Sequence, residues 1–313
     1  MSSYTDRLTD SSLQALREAL ERENFFTCLI LQNGACRFEY FRNDVHRKKL
    51  QKINSCTKSF VSALVGIAVD KKYIPSLHTP IAEYFPSLRS DADPRKQHIT
   101  IEQLLTMSAG FDWPEFGVWN YNPPMLQSEN WIDFVLARPI KDTPGESTNY
   151  NTGCSQLLTA ILQQATGNVG SFMEEQLLAP LSITSYRWQE DPQGIKIGGY
   201  GLHLRTADMA KFGQLFLNHG VFDNRQVISE EWVRASTTPR YENDNPVARM
   251  IGRYAYHWWC SELPSGYPIY FSIGFGGQII IIAPALDMVV VMTGDNYSNT
   301  LRPMNLFKQY IAA

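Results

Sequence analysis

The chain has 313 residues, 44% hydrophobic and 19% charged, with a formal net charge of −3. This composition suits an ordinary globular protein with enough material for a large core, either one domain or two lobes around a shared cleft. The charge gives no reason to expect nucleic acid or an anionic membrane as a partner, and no apolar run is long enough to span a bilayer.

The polar start MSSYTDRLTDSSLQALREALERENFF lacks the basic end, apolar centre and cleavage site of a secretory signal. The five cysteines, Cys28, Cys36, Cys56, Cys154 and Cys260, are scattered and form no C-x-x-C pair. Both features predict a cytoplasmic protein with free thiols. Leu13, Leu16, Ala19 and Leu20 recur at helical spacing over 12–23. FFTCLILQNGACRFEYF then reads as a β-hairpin turning at Asn33-Gly34. Ser55-Cys56-Thr57-Lys58 precedes the apolar run Phe60 to Val69, which predicts a buried helix opened by Ser55. Tyr73 to Leu77 reads as a loop, and Thr100 with Gln103 forms a capping box for the next helix.

Residues 109–149 are rich in aromatic residues, Pro, Gly, Asn and Asp and read as a long irregular stretch. A loop of that length is usually functional. A helix is expected from just after Tyr150 to Gly167, with Leu157, Leu158, Ile161 and Leu162 inward. Another is expected to be capped by Thr206 and to end at Asn218-His219-Gly220. The tail reads as strands at Tyr254 to Cys260, Tyr267 to Ile273, Gln278 to Ala283 and Met288 to Met292, with a closing helix over 302–312. Strands at both ends with helices between predict an α/β (α+β) fold: one antiparallel sheet built from both chain ends, flanked by helices, with a mostly helical lobe inserted. One catalytic domain over 1–313 is expected, with an α/β lobe from 1–75 and 195–313 and a helical lobe from 76–194.

Serine and lysine three residues apart on a helix share one face. A serine hydroxyl is a poor nucleophile until a base takes its proton, and Lys58 places an amine in reach of Ser55. The bland alternative is a capping serine beside a solvated lysine. Cys56 reads as a small buried filler rather than a nucleophile. The histidines show no H-E-x-x-H and no ligand spacing, so no metal is expected, and no cofactor is implied. There is no G-x-S-x-G elbow and no P-loop, which argues against an α/β-hydrolase or an NTPase.

Five segments in order narrow the choice: the S-x-x-K at Ser55, HITIEQLLTMSAGFDW, Tyr150 in STNYNTGCSQLLTAILQQATG, GGYGLHLRTADMAKFGQLFLNHG, and GFGGQIIIIAPALDMVVVMTG. Together, over roughly 25–310, they resemble the serine β-lactamase-like superfamily of penicillin-binding proteins, AmpC-type β-lactamases and family VIII esterases. The Y-N-x-G run and the late G-x-x-G-Q are most similar to the branch holding aminohexanoate-oligomer hydrolases. The resemblance implies the β-lactamase/transpeptidase-like fold, with Ser55 as nucleophile, Lys58 as its partner amine and Tyr150 as proton acceptor and donor. It also implies an oxyanion hole from the backbone N–H groups of Ser55 and Phe275. Thr152, Gly274 and Gly276 would border the substrate. Trp113 and Trp119, with Tyr121 and Trp131, either line an acyl pocket or form the core of their own loop.

Two departures bear on substrate. Thr152 stands where many members carry asparagine, and Phe271-Ser272-Ile273-Gly274 replaces the usual Lys- or His-Thr-Gly that helps hold a β-lactam carboxylate. The expectation is therefore a serine hydrolase acting through an acyl-serine on a small ester or amide. A β-lactamase or D-amino-acid peptidase, a non-catalytic penicillin-binding sensor and an acyltransferase stay as alternatives. The base is open between Lys58 and Tyr150. A lysinium ~4 Å from the phenol supplies about 4 kcal/mol, enough to lower its pKa by about three units.

Overall fold

The structure is a computed structural model and describes residues 8–312 apart from 117–121, 242, 244 and 264. Its centre is a seven-stranded, wholly antiparallel sheet. From one edge to the other it runs Ala35–Phe41, Phe25–Gln32, Met288–Gly294, Gln278–Ala283, Pro268–Gly274, Trp259–Glu262 and Arg253–Tyr254. The first hairpin turns at Asn33 (φ 52°) and Gly34 (φ 73°), the two positive φ angles that Asn-Gly tolerates in a type I′ turn.

The two central strands are buried along their whole length. Their side chains alternate between two cores, as a period of two requires. Ile280, Ile282, Val289 and Val291 face the larger core, which continues into the helices Thr57–Asp70, Thr152–Thr166 and Thr206–Leu217. Ile279, Ile281, Val290 and Met292 face the smaller one, closed by Leu16 and Leu20 of the Asp10–Arg22 helix and by Phe307 and Ile311 near the carboxyl end. Thr57–Asp70 is buried from Thr57 to Ala68, so it forms the floor between sheet and helices.

Several elements differ from the sequence reading. Ser55 lies not in the α-helix but in a 3₁₀ turn, Asn54–Cys56, that leads into it. Lys58 lies in the first turn of that α-helix, close enough for its amine to reach Ser55 Oγ at 3.2 Å. The 109–149 stretch holds two short helices, Asn122–Gln127 and Trp131–Leu136, the second capped by the Asn130 side chain. Thr206 does not cap its helix. It is the first helical residue, and its buried hydroxyl bonds Thr27 Oγ1 at 2.7 Å while Arg205 holds the cap position. Tyr254 to Cys260 is two short strands, paired Tyr254 to Trp259, around a turn with His257 at φ 59°. The helices Glu230–Ser236 and Pro246–Ile251 were not anticipated.

Candidate active site

The Ser55 turn is fixed from three directions. Asn54 takes a left-handed conformation (φ 49°), and its side-chain amide donates to the Phe275 carbonyl at 2.5 Å. Thr57 Oγ1 donates to the Asn54 carbonyl at 2.7 Å, and Ile53 N–H donates to Leu202 O at 3.0 Å. Gly274 packs against the back of the turn, where a methyl group would lie 2.4 Å from Ile53 O and 3.1 Å from Ser55 N. The turn after it is drawn tight by Gly276 (φ 88°) and Gly277 (φ 86°), with Gly277 N–H donating to Gly274 O at 3.2 Å.

Lys58 is 1% exposed, so its amine is spent entirely on local partners. Nζ lies 3.2 Å from Ser55 Oγ, 3.1 Å from Thr152 Oγ1 and 2.8 Å from the Gly199 carbonyl. Thr152 is the first residue of the Thr152–Thr166 helix, capped by Asn151. Its hydroxyl donates to Glu115 Oε1 and its backbone N–H to Glu115 Oε2, both at 2.6 Å. The carboxylate thus sits at a helix N-terminus, where negative charge is favoured, and also accepts the Trp113 indole N–H at 2.9 Å. Because the Thr152 proton goes to Glu115, its oxygen must accept from Lys58.

Tyr150 is clamped by aromatics. Its ring stacks on Phe116 (centroids 5.0 Å) and Trp259 (5.6 Å) and meets Tyr254 edge-on at 5.8 Å. Lys58 Nζ lies 4.9 Å from the ring centroid. Ser55, Lys58, Tyr150 and Thr152 therefore meet, although 92 to 97 residues separate the pairs taken across the chain.

The electrostatics separate Lys58 from Tyr150. Burial pulls the Lys58 pKa down from 10.5 to about 8, against the raising influence of Glu115. Burial pushes Tyr150 well above its ordinary value, with the Glu115 charge adding to the rise and a hydrogen bond with Ser55 opposing it. The lysinium-lowered phenol expected from Coulomb's law is overridden by desolvation. His257, deep behind the site, is pushed down to about 3, first by burial and then by the Lys58 charge. Its Nδ1 lies 3.0 Å from the Leu105 carbonyl and its Nε2 3.0 Å from Ser155 Oγ, so it packs the interior as a neutral ring. Burial raises the Cys56 thiol to about 12.

A cleft of about 740 Å³ opens onto Ser55, with Glu115, Tyr150, Thr152 and Phe275 on its walls. Trp259 borders it, whereas Trp258 is wholly buried. Of the two readings left open for Trp113, the structure has the core one: it has no exposed surface and packs among buried residues rather than on the cleft wall. Gly276 faces the Tyr297 ring, 2.7 Å from where a methyl group would stand. Trp131 is buried in its helix, and Trp119 and Tyr121 lie outside the described residues. Sequence reasoning missed Glu115, Lys52 and Tyr200, all on the cleft. The one available signal for Glu115 was a carboxylate set between the aromatic residues Trp113 and Phe116. Among the described residues no cluster of His, Cys, Asp or Glu could hold a metal, and no helix is long and apolar enough to cross a membrane.

An antiparallel sheet made from both chain ends, with helices inserted and a serine–lysine–tyrosine cluster between them, defines the β-lactamase/transpeptidase-like fold. The family model described as Beta-lactamase matches residues 30–309, and the chain belongs to that family of hydrolases. The chain is 22% identical over 312 residues to the 6-aminohexanoate-dimer hydrolase of Paenarthrobacter ureafaciens, covering 89% of this chain and 74% of that one. Among solved structures it is similar to a class C beta-lactamase from Rhodobacter sphaeroides (TM-score 0.73, 16% identity, 97% of this chain and 100% of the other). It is also similar to the octameric penicillin-binding protein homologue from Pyrococcus abyssi (TM-score 0.70, 18% identity, 95% and 74%).

Proposed function

We propose that this protein is a serine hydrolase that forms an acyl-serine at Ser55 and acts on small esters or amides. The observation that carries the reading is the hydrogen-bond set of Lys58. Gly199 O and Thr152 Oγ1 accept two N–H bonds, and Ser55 Oγ takes the third position. A neutral amine has two protons to donate and one lone pair, so in its neutral form Lys58 aims that lone pair at the Ser55 hydroxyl. With its pKa near 8, roughly a tenth of the amine is neutral at pH 7.

In this mechanism the Ser55 proton passes to Lys58 and Oγ bonds to the substrate carbonyl carbon. The oxyanion is met by the N–H groups of Ser55 and Phe275. The carbonyl–leaving-group bond then breaks, the leaving atom takes the Tyr150 phenol proton, and the phenol recovers the proton held by Lys58. Water repeats the sequence on the acyl-serine and restores the enzyme. Tyr150 suits this role because it stays protonated at neutral pH and is held by its aromatic neighbours.

A second reading, hydrolysis of β-lactams or D-amino-acid peptides, is favoured by one observation. Lys52 lines the cleft, 5.7 Å from the Tyr200 ring centroid, with no acidic partner among the described residues, and could receive a substrate carboxylate. Against it, Ile273 is the residue of the late strand that lines the cleft, while the Ser272 hydroxyl is buried. The test is a panel of 4-nitrophenyl esters, anilides and nitrocefin. Ester or anilide turnover exceeding nitrocefin turnover upholds the first reading, and the reverse order replaces it with the second.

A further inference from the structure

Exposed apolar side chains are not spread evenly over this protein. Eight large hydrophobics among the described residues are exposed: Val45, Tyr73, Leu126, Val247, Met250, Tyr267, Phe275 and Tyr297. Three of them, Leu126, Val247 and Phe275, line the cleft above Ser55. Met250 lies three residues from Val247 on the same short helix, and Tyr297 packs on Phe275 with ring centroids 4.9 Å apart. The cleft wall also holds Phe116, Ile251, Ile273 and Leu301, with Lys52, Asn54, Ser298, Asn299 and Thr300 as its polar part. Leaving such side chains in water is unfavourable, and a concentrated apolar surface marks a binding site.

The cleft itself says what kind of occupant it takes. Its volume of about 740 Å³ is of small-molecule size, and it ends on a nucleophile, not on a flat face. Glu115, the acid on its wall, has both oxygens committed to Thr152 and Trp113. The short helices Asn122–Gln127 and Pro246–Ile251 each send an aliphatic residue, Leu126 and Val247, to the rim.

We propose that the cleft takes substrates whose scissile ester or amide carries a hydrocarbon chain of medium length, with Leu126, Val247 and Phe275 setting that preference. The proposal rests on the acyl-serine reading above and narrows its substrate class. The chain lies along the apolar rim while the carbonyl reaches Ser55. The same surface could receive a chain on the acyl side or on the alcohol side.

The experiment measures kcat/KM for 4-nitrophenyl esters from acetate to decanoate, and for acetate esters of straight-chain alcohols of the same lengths. Wild type is compared with the Leu126→Ser/Val247→Ser double variant, Ser55→Ala supplies the background, and Val45→Ser is a control exposed outside the cleft. A rise of about three- to fourfold per methylene, the worth of one buried CH2 group, is expected along one of the two series up to about eight carbons. The double variant should lower the octanoate-to-acetate ratio (or its alcohol-series counterpart) by at least about tenfold, with Val45→Ser keeping the wild-type ratio. If the double variant does not melt cooperatively, Phe275→Ser is read in the same way.

A flat series in both arms, with Ser55-dependent turnover of the acetate ester, overturns this proposal and leaves the hydrolase reading standing. No Ser55-dependent turnover of any of these esters or of the 4-nitroanilides of the same acyl lengths overturns both. Sedimentation provides the third outcome. A wild-type dimer that the double variant dissociates, with an unchanged chain-length dependence, would make the patch a subunit interface and overturn the proposal.

Discussion

Glu115 and Lys58 are joined through a single hydroxyl. Thr152 Oγ1 donates to Glu115 Oε1 at 2.6 Å and accepts from Lys58 Nζ at 3.1 Å. The carboxylate fixes which way the Thr152 proton points, and that in turn fixes which Lys58 hydrogen is spent on Thr152. A negative charge two bonds removed thus orients the amine without neutralising it by direct contact.

This chain can be cut at either link. Thr152→Val and Glu115→Gln should each lower kcat for a nitrophenyl ester by about 10- to 100-fold, the worth of one hydrogen bond involving a charged group, with a smaller effect on KM. Thr152→Ser keeps the hydroxyl and should stay within about threefold of wild type. Steady-state kinetics on the three variants check this, and equal losses in Thr152→Ser and Thr152→Val would remove the hydroxyl from the account.

The pH dependence follows from Lys58. In the proposed mechanism its neutral form is the base, and burial pulls its pKa down to about 8. kcat/KM for a neutral ester should therefore climb tenfold per pH unit below about 7 and level off above about 8.5. A pH–rate profile from 5.5 to 10 tests this. An inflection near 6 would point to a different base, and His257, pushed down to about 3, is not available to supply it.

The same shift predicts a stability change. The folded pKa of Lys58 lies below its unfolded value, so between pH 8 and 10.5 the unfolded chain binds more protons and stability rises with pH. Below pH 8 the full cost of burying the charge is present, about 3 kcal/mol. Lys58→Met removes the titration. The stability of wild type relative to Lys58→Met should then improve by about 2 to 3 kcal/mol from pH 7 to pH 10, as read from urea unfolding. A difference independent of pH would show that Lys58 keeps an ordinary pKa.

Gly274 tests the scaffold behind Ser55. A methyl group there would meet backbone atoms, Ile53 O at 2.4 Å and Ser55 N at 3.1 Å, which cannot swing aside as a side chain can. Gly274→Ala should destabilise the protein by about 1 to 3 kcal/mol and lower kcat by more than tenfold, because the displaced atoms belong to the Ser55 turn. Thermal melts and kinetics on the variant provide the measurement, and wild-type activity would mean that the turn is not held from behind.

Much of this architecture was legible in the sequence because its signals are local. Asn33-Gly34 announced the first hairpin, the Thr100 capping box is present as read, and Ile279 to Ile282 with Val289 to Val291 announced buried strands. What was not legible depends on tertiary packing. Thr206 has the chemistry of a cap, but a buried partner, Thr27, takes its hydroxyl. Residue type alone left Trp113 between pocket wall and loop core, and it is packing that places its ring in the core and its indole N–H on Glu115. Glu115 carries no motif of its own, and its role exists only because the fold brings residues 115 and 152 together. The sequence left the base open between a neutral Lys58 and a Tyr150 phenol whose pKa is lowered by the neighbouring cation. Burial depends on the whole fold, which the sequence does not expose, and it drives the pKa the other way.

The most direct test is covalent. Wild type and Ser55→Ala are incubated with a fluorophosphonate, and then separately with a nitrophenyl ester under acid quench, followed by intact mass and peptide mapping. The account predicts one adduct per chain on the peptide containing Ser55, a transient acyl mass with the ester, and neither adduct nor turnover in Ser55→Ala, which should melt as wild type does. A label on another residue, or ester turnover by Ser55→Ala at the wild-type rate, would contradict it.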